Sequence, residues 1–274
     1  MAERKGDGWM RRLLWLLVAM ALVAAGCGGG WGSSIGSSGG SSAASSGGTL
    51  NVFAAASLTE AFTQLAQTYQ SDHPGWTVKL NFAGSDQLAA QIEQGVPADV
   101  YAAASPKYPE ELQGKNLIGD TTNFATNSLI LIVPPDNPAN IKTPDDLKKG
   151  AKLVVGDPAV PVGSYTETVL DNLGISDSDL NIVSKEQDVK AVLSKVELGE
   201  ADAGFVYVTD ALSAGDKVKQ IQLPAAAEAT ATYPIGIVSA SNETEAAQQW
   251  IDLVTGPDGQ KVLQDLAFGP PPST

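Results

Sequence analysis

The apolar positions of this chain fall into short runs, each followed by a small-residue turn and then by apolar positions at helical spacing. The first unit sets the pattern. Leu50-Asn51-Val52-Phe53-Ala54-Ala55-Ala56 reads as a buried strand, and Leu58, Ala61, Phe62, Leu65, Ala66 and Tyr69 then recur on one face of a helix. Ser57 and Glu60 form an S-x-x-E capping box, which predicts that the helix starts at Ser57. First-turn N–H groups without acceptors, together with the positive end of the helix dipole, make such a junction a seat for an anion. One junction alone is usually no more than a cap. Here the junction recurs.

Residues 77–82 alternate as a strand, and Ala83-Gly84-Ser85-Asp86 leads into Leu88, Ala89 and Ile92, which puts Ser85 or Asp86 at a second N-cap. Residues 99–104 form a third apolar strand, and Ser105-Pro106 fit the N-cap and first position of the next helix. The continuous run Leu129-Ile130-Leu131-Ile132-Val133 suits a strand buried on both faces, and a domain crossover is expected near its start. A second series follows. Thr143-Pro144-Asp145-Asp146 starts a helix, 152–156 is a strand, and Val160-Pro161-Val162-Gly163-Ser164 enters a helix carrying Tyr165, Val169 and Leu173. Residues 181–184 are a strand, Asp188-Val189 opens the helix of Val192, Leu193 and Val196, and 203–208 is a strand with Tyr207 near its C-terminal end. Residues 233–239 read as a return strand and 243–255 and 257–266 as two closing helices. Successive strand–helix units predict an α/β fold of two lobes, each a mostly parallel sheet flanked by helices, with a cleft between them. The expected division is 49–127 and 233–274 for the first lobe and 128–232 for the second.

Composition changes this picture at the N-terminus. Positive residues through Arg12, an apolar run over 13–25 and then Gly26-Cys27 read as an export signal covering 1–26. That run falls short of the about 20 apolar residues of a membrane span. Cys27 is the only cysteine of the 274 residues, so no intramolecular disulfide exists. Val23-Ala24-Ala25-Gly26-Cys27 resembles a bacterial lipoprotein signal, which implies lipid attachment at Cys27; conventional cleavage with Cys27 left as a free thiol is the alternative. From Cys27 to residue 48 the chain is almost entirely Gly and Ser, a tether spanning on the order of 25 Å. The expectation is a folded body held at the extracytoplasmic face of the cell membrane.

Net charge is −14, and the signal residues carry Arg4, Lys5, Arg11 and Arg12 against Glu3 and Asp7, so the mature chain is more acidic still. Nucleic acid is excluded as a partner by the scattering of Lys and Arg among more numerous carboxylates. Several enzyme classes are weakened too. His73, the single histidine, lies in a Ser-Asp-His-Pro-Gly turn, where a solvated side chain is expected rather than a catalytic one. One histidine and one cysteine are too few to hold zinc, and neither a Walker A loop nor G-x-G-x-x-G occurs. No cofactor and no direct cation site are expected.

Between about Leu50 and Phe268 the chain resembles the molybdate-binding members of the substrate-binding proteins that feed ABC transporters. The resemblance rests on Val52-Phe53-Ala54-Ala55-Ala56-Ser57-Leu58, Gly95-Val96-Pro97-Ala98-Asp99-Val100, Val155-Gly156-Asp157-Pro158 and Gly204-Phe205-Val206-Tyr207. It implies a periplasmic-binding-protein fold in which a tetrahedral oxyanion sits in the interdomain cleft, held by two serine hydroxyls, two backbone amides and a tyrosine hydroxyl. Carried onto this sequence, these are Ser57, Ser85, the amides of Val162 and Val189, and Tyr207. The resemblance further implies a monomeric receptor, not an enzyme, that binds molybdate and tungstate and delivers them to an ABC permease. Gly84 and Asp86 flank Ser85 where the family favours small hydroxylic residues, and Asp86 is expected to cap its helix and point away from the ligand. A site of pure donors suits a fully ionised oxyanion, whereas hydrogen phosphate also needs an acceptor. Receptors for sulfate or phosphate, and an exported hydrolase using cleft carboxylates, are the competing readings.

Overall fold

The computed structural model describes residues 47–272. The export signal, Cys27 and all but the last residues of the Gly/Ser tether lie outside the described residues. In chain order the elements are β1 (Thr49–Ala55), α1 (Thr59–Asp72), β2 (Thr77–Ala83), α2 (Ser85–Glu93), β3 (Val100–Ala102), α3 (Lys107–Gly114) and β4 (Ile118–Val133). They continue with β5 (Lys152–Gly156), α4 (Pro161–Leu173), β6 (Asn181–Glu186), α5 (Val189–Glu197), β7 (Ala203–Tyr207), α6 (Val208–Ala214), β8 (Lys219–Ile221), β9 (Thr230–Val238), α7 (Thr244–Thr255) and α8 (Pro257–Asp265).

Strand order is β2-β1-β3-β9-β4-β7-β5-β6, with β8 on β4. Parallel ladders β1–β2 and β1–β3 build the first lobe and β5–β6 and β5–β7 the second, as expected of strand–helix units. The antiparallel strands β4 and β9 carry the chain between them. The first half of β4 pairs with β9 and its second half with β7, so one strand belongs to both lobes. The boundaries expected at 127/128 and 232/233 therefore fall inside continuous strands rather than in loops. Pairs such as Thr126↔Thr232 and Ser128↔Thr230 cross the junction as ordinary ladder partners.

The helices cover the sheet with the faces that the sequence pattern assigns. Ala61, Phe62, Leu65, Ala66 and Tyr69 of α1 are buried, and Trp250 of α7 packs edge-on against Phe62 and Tyr69 with ring centroids 5.4 and 5.8 Å away. Burying side chains of this size contributes about 1.5–3 kcal/mol each, which fixes the C-terminal helices to the first lobe. Phe268 follows them into the core, and Gly269 bridges to Thr126 on β4. Among the described residues, no helix is long and apolar enough to cross a membrane.

Three helix starts differ from expectation. A 3-10 turn at Ala56–Leu58 precedes α1, whose N-cap is Leu58, so Ser57 caps nothing and Glu60 does not reach back to it. Gly84 is the N-cap of α2, with no side-chain cap bond, so neither Ser85 nor Asp86 occupies that position. Pro106, not Ser105, is the N-cap of α3. At Ser57 and Ser85 a buried partner, the Tyr233 hydroxyl and the Ala104 N–H, engages the serine oxygen in place of a local capping bond. Thr143 does form its capping box with Asp146, but the helix it opens is a 3-10 segment, Pro144–Lys149, stopped by Gly150 at φ 90°.

Candidate functional site

Five strand-to-helix junctions meet where the lobes face each other. Ser57 follows the C-terminal end of β1, Ser85 that of β2, Val162 that of β5 and Val189 that of β6, while Tyr207 ends β7. Ligands of open α/β sheets sit at this edge. All five residues line one small cavity, with Ala55, Ala56, Ala83, Gly84 and Ala104 on one side and Val160, Pro161 and Asp188 on the other. Its free volume is about 20 Å³. That is of the order that holds one or two waters, so the occupant it suits is a compact group rather than an extended organic molecule.

The donors can be assigned one by one. Ser85 Oγ accepts the Ala104 N–H at 3.1 Å, and Tyr101 Oη donates to the Ser85 carbonyl at 2.7 Å. With its oxygen occupied, the Ser85 hydroxyl keeps its proton for the cavity. Ser57 Oγ lies 2.9 Å from Tyr233 Oη. Behind Tyr233, Asn127 Nδ2 donates to Thr209 Oγ1 at 2.9 Å and stands 3.5 Å from Tyr233 Oη. With that N–H on its far side, the Tyr233 hydroxyl is free to give its proton to Ser57 Oγ, an arrangement that leaves the Ser57 proton for the cavity. Burial raises the Tyr233 phenol above its ordinary pKa, so it stays protonated.

The second lobe contributes backbone. Pro161 has no N–H, so Val162 and Gly163 supply the first amides of α4, and Val160 caps without a side-chain bond. Asp188 caps α5 by accepting from Ala191 N–H at 2.9 Å, which turns its carboxylate to the helix and leaves the Val189 amide outside the cap. Tyr207 is buried, and among the described residues its hydroxyl has no hydrogen-bond partner. Burial pushes its phenol well above the ordinary tyrosine value, so the group is a neutral donor. No Lys or Arg side chain lines the cavity. Its positive character comes from dipoles: α2, α4 and α5 all present their N-terminal ends.

The lobes touch around this cavity. Gln87 Nε2 donates to Gln187 Oε1 at 2.7 Å, Tyr108 Oη donates to the Ala159 carbonyl, and Lys190 of α5 pairs with Glu60 of α1 at 2.7 Å. A Cβ on Gly84 would lie 2.4 Å from the Gln187 carbonyl oxygen and 2.5 Å from Asp86 Oδ1, so the absence of a side chain there is what lets the lobes approach. Asp86 does not line the cavity. Its Oδ1 is buried without a hydrogen-bond partner, and burial raises its pKa, with Asp157 adding to the rise and Lys107 opposing it. His73 is half-buried rather than solvated: its Nδ1 is 2.9 Å from the Tyr69 carbonyl and its ring stacks on Tyr69 at 4.2 Å, away from the cavity.

Tyr233, Asn127 and the Lys190 pair were not singled out by sequence. Tyr233 carries the one available signal, a hydroxyl on the buried face of an alternating strand.

The model of the bacterial extracellular solute-binding protein family matches residues 50–268. The chain belongs to that family. Members of this family bind solutes and are not enzymes, so the hydrolase reading is set aside. A molybdate-binding protein of Mycobacterium tuberculosis is 40% identical over 222 residues, covering 80% of this chain and 84% of the relative. One from Escherichia coli is 31% identical over 230 residues, covering 81% and 89%. Among solved structures, the periplasmic molybdate-binding protein of Azotobacter vinelandii matches with a TM-score of 0.72 at 23% identity, covering 81% of this chain and all of that one. The sulfate-binding protein SubI of Mycobacterium tuberculosis also reaches 0.72, at 16% identity, covering 81% and 86%. At those identities the likeness concerns fold alone. This solute-binding family member therefore has a fold that serves more than one oxyanion receptor, and the ligand must be argued from its own cavity.

Proposed function

We propose that this chain is an extracytoplasmic receptor for molybdate, and for the similarly shaped tungstate, that is anchored through a lipid on Cys27 and passes its ligand to an ABC permease. The observation that supports this most is the Tyr207 hydroxyl, a buried donor without a partner among the described residues, at a cavity otherwise walled by serine hydroxyls and helix N-termini. In this reading Ser57, Ser85 and Tyr207 give O–H bonds and Val162 and Val189 give N–H bonds to one tetrahedral ion. The 40% identical relative named for molybdate supports the choice of ion.

Chemistry narrows it further. Molybdate offers acceptors only at neutral pH, so five donors satisfy it without a counter-charge, and uncharged donors are strong in a closed cleft of low dielectric. Hydrogen phosphate would bury its O–H without an acceptor at a cost of about 1–3 kcal/mol. Sulfate carries no proton, and its shorter bonds leave some donors stretched. The expected order is molybdate over sulfate over phosphate. Asp86→Ser should leave that order unchanged, because the carboxylate is outside the cavity lining.

A thermal-shift and calorimetry panel tests the reading. Molybdate at 100 times its dissociation constant should add about 2.7 kcal/mol of stability. Tyr207→Phe should weaken molybdate by about 1.5–3 kcal/mol, the range for hydrogen bonds to charged groups, with the fold retained. If no oxyanion raises the melting temperature, the receptor is for something else. The anchor has its own readout: mass spectrometry of the native mature protein should find acylated Cys27 as its first residue. A mature N-terminus elsewhere would remove the lipid from the proposal.

A further inference from the structure

Behind the cavity stands an ion-pair triad whose members are sequence neighbours of cavity residues. Glu60 lies three residues beyond Ser57, Lys190 directly follows Val189, and Asp210 lies three residues beyond Tyr207. Lys190 Nζ is 2.7 Å from Glu60 Oε1 and 2.9 Å from Asp210 Oδ1, the latter contact lacking hydrogen-bond geometry. The environments differ. The Asp210 side chain is 0% exposed, against 26% for Lys190 and 38% for Glu60.

Lys190 and Asp210 both stand on the lobe of β5–β7, whereas Glu60 stands on α1 of the other lobe. Opening the cleft therefore separates Lys190 from Glu60 and leaves Lys190 with Asp210. A buried carboxylate cannot release its one cation cheaply, so Asp210 holds the ammonium in place before Glu60 arrives. Desolvation pushes the Asp210 carboxyl up to about 6, while the Lys190 ammonium 2.9 Å away pulls the other way and favours the carboxylate that does this. Three further hydrogen bonds between the lobes, Gln87 with Gln187, Tyr108 with the Ala159 carbonyl and Asn127 with Thr209, are between neutral groups. Among the described residues, Lys190–Glu60 is the ion pair that crosses the cleft.

We propose that Lys190 is a charged clasp of the cleft: fixed on its own lobe by Asp210, it captures Glu60 when the lobes close and so sets how much of the protein is closed. It is a positioning residue. It acts by holding the Val189 end of α5 against the Ser57 turn, not by touching the solute. The proposal rests on closure between lobes and not on which ion is bound.

The test measures closure without ligand. Cysteines are placed at Gln87 and Gln187, which face each other across the cleft, in the full chain with Cys27→Ser, and treated with a short bifunctional maleimide. The ratio of bridged to doubly labelled product reports the closed population. Without any oxyanion, Glu60→Gln should lower that ratio about 3–10-fold, and Lys190→Met/Asp210→Asn, which leaves no unpaired buried charge, should lower it equally. Salt at 1 M should bring the parent ratio towards that of the variants, while theirs stays constant. Ratios unchanged in both variants would overturn the clasp. Molybdate added to the parent tests the other reading separately: failure of molybdate to raise bridging counts against the proposed ligand, whereas equal ligand-free ratios count against the clasp.

Discussion

The double substitution Ser57→Ala/Ser85→Ala should abolish measurable molybdate binding at micromolar protein, with each serine contributing about 1.5–3 kcal/mol and the pair about twice that if their effects add. The two single variants should differ in what they do to the empty protein. Ser85 Oγ is the acceptor for the buried Ala104 N–H, so Ser85→Ala strands that amide and should cost about 1–3 kcal/mol of stability. Ser57→Ala removes one partner of the Tyr233 hydroxyl, which keeps the Asn127 N–H and, unlike a backbone amide, can reorient its proton, so this variant should melt closer to the parent. Neither serine is a helix cap, so no loss of helix stability is expected from either. Calorimetry gives the affinities and ligand-free melting the stabilities. Parent-like affinity in both single variants would show that these hydroxyls serve only the packing of the two turns.

The strand–helix units were readable because their signals are local. Residues such as Ala61, Phe62, Leu65 and Tyr69 keep a helical period whatever the tertiary fold, and β1, β2, β5 and β7 are apolar or alternating over their whole lengths. The long strand β4 was not readable in full. Its first half contains Thr121, Thr122 and Asn123, exposed or half-exposed positions that carry no strand period, and only pairing with β9 extends the strand through them. The cap expected at Ser57 is absent for a related reason. A capping box is a local bond, and here a buried tyrosine from a strand 176 residues away takes the hydroxyl instead. The five residues gathered at the cavity were legible through family resemblance and through junction chemistry at both serines. Glu60, Lys190 and Asp210 were not, since charged residues 130 and 20 positions apart carry no sequence sign that they will meet.

Gly163→Ala should weaken molybdate binding about as much as the loss of one serine, although it removes no donor. A Cβ at Gly163 would lie 2.0 Å from the Asp157 carbonyl oxygen and 2.7 Å from that of Gly156. Both obstacles are backbone atoms of the β5–α4 turn, so no side chain can swing aside, and the start of α4 has to retreat. Overpacking of this kind costs about 1–3 kcal/mol of stability. The functional cost is separate, because the retreat carries the neighbouring Val162 amide with it, and displacing a positioned group by about 1 Å can cost on the order of 100-fold. Affinity for molybdate should therefore fall about 10–100-fold beyond what the melting change explains. Gly114→Ala is the control, since that glycine also lies in a helix but has nothing within 4 Å of the added carbon. It should bind as the parent does and melt no lower. If Gly163→Ala matched Gly114→Ala in both measurements, α4 would not be pressed against the turn, and the Val162 amide would lose its place among the proposed donors.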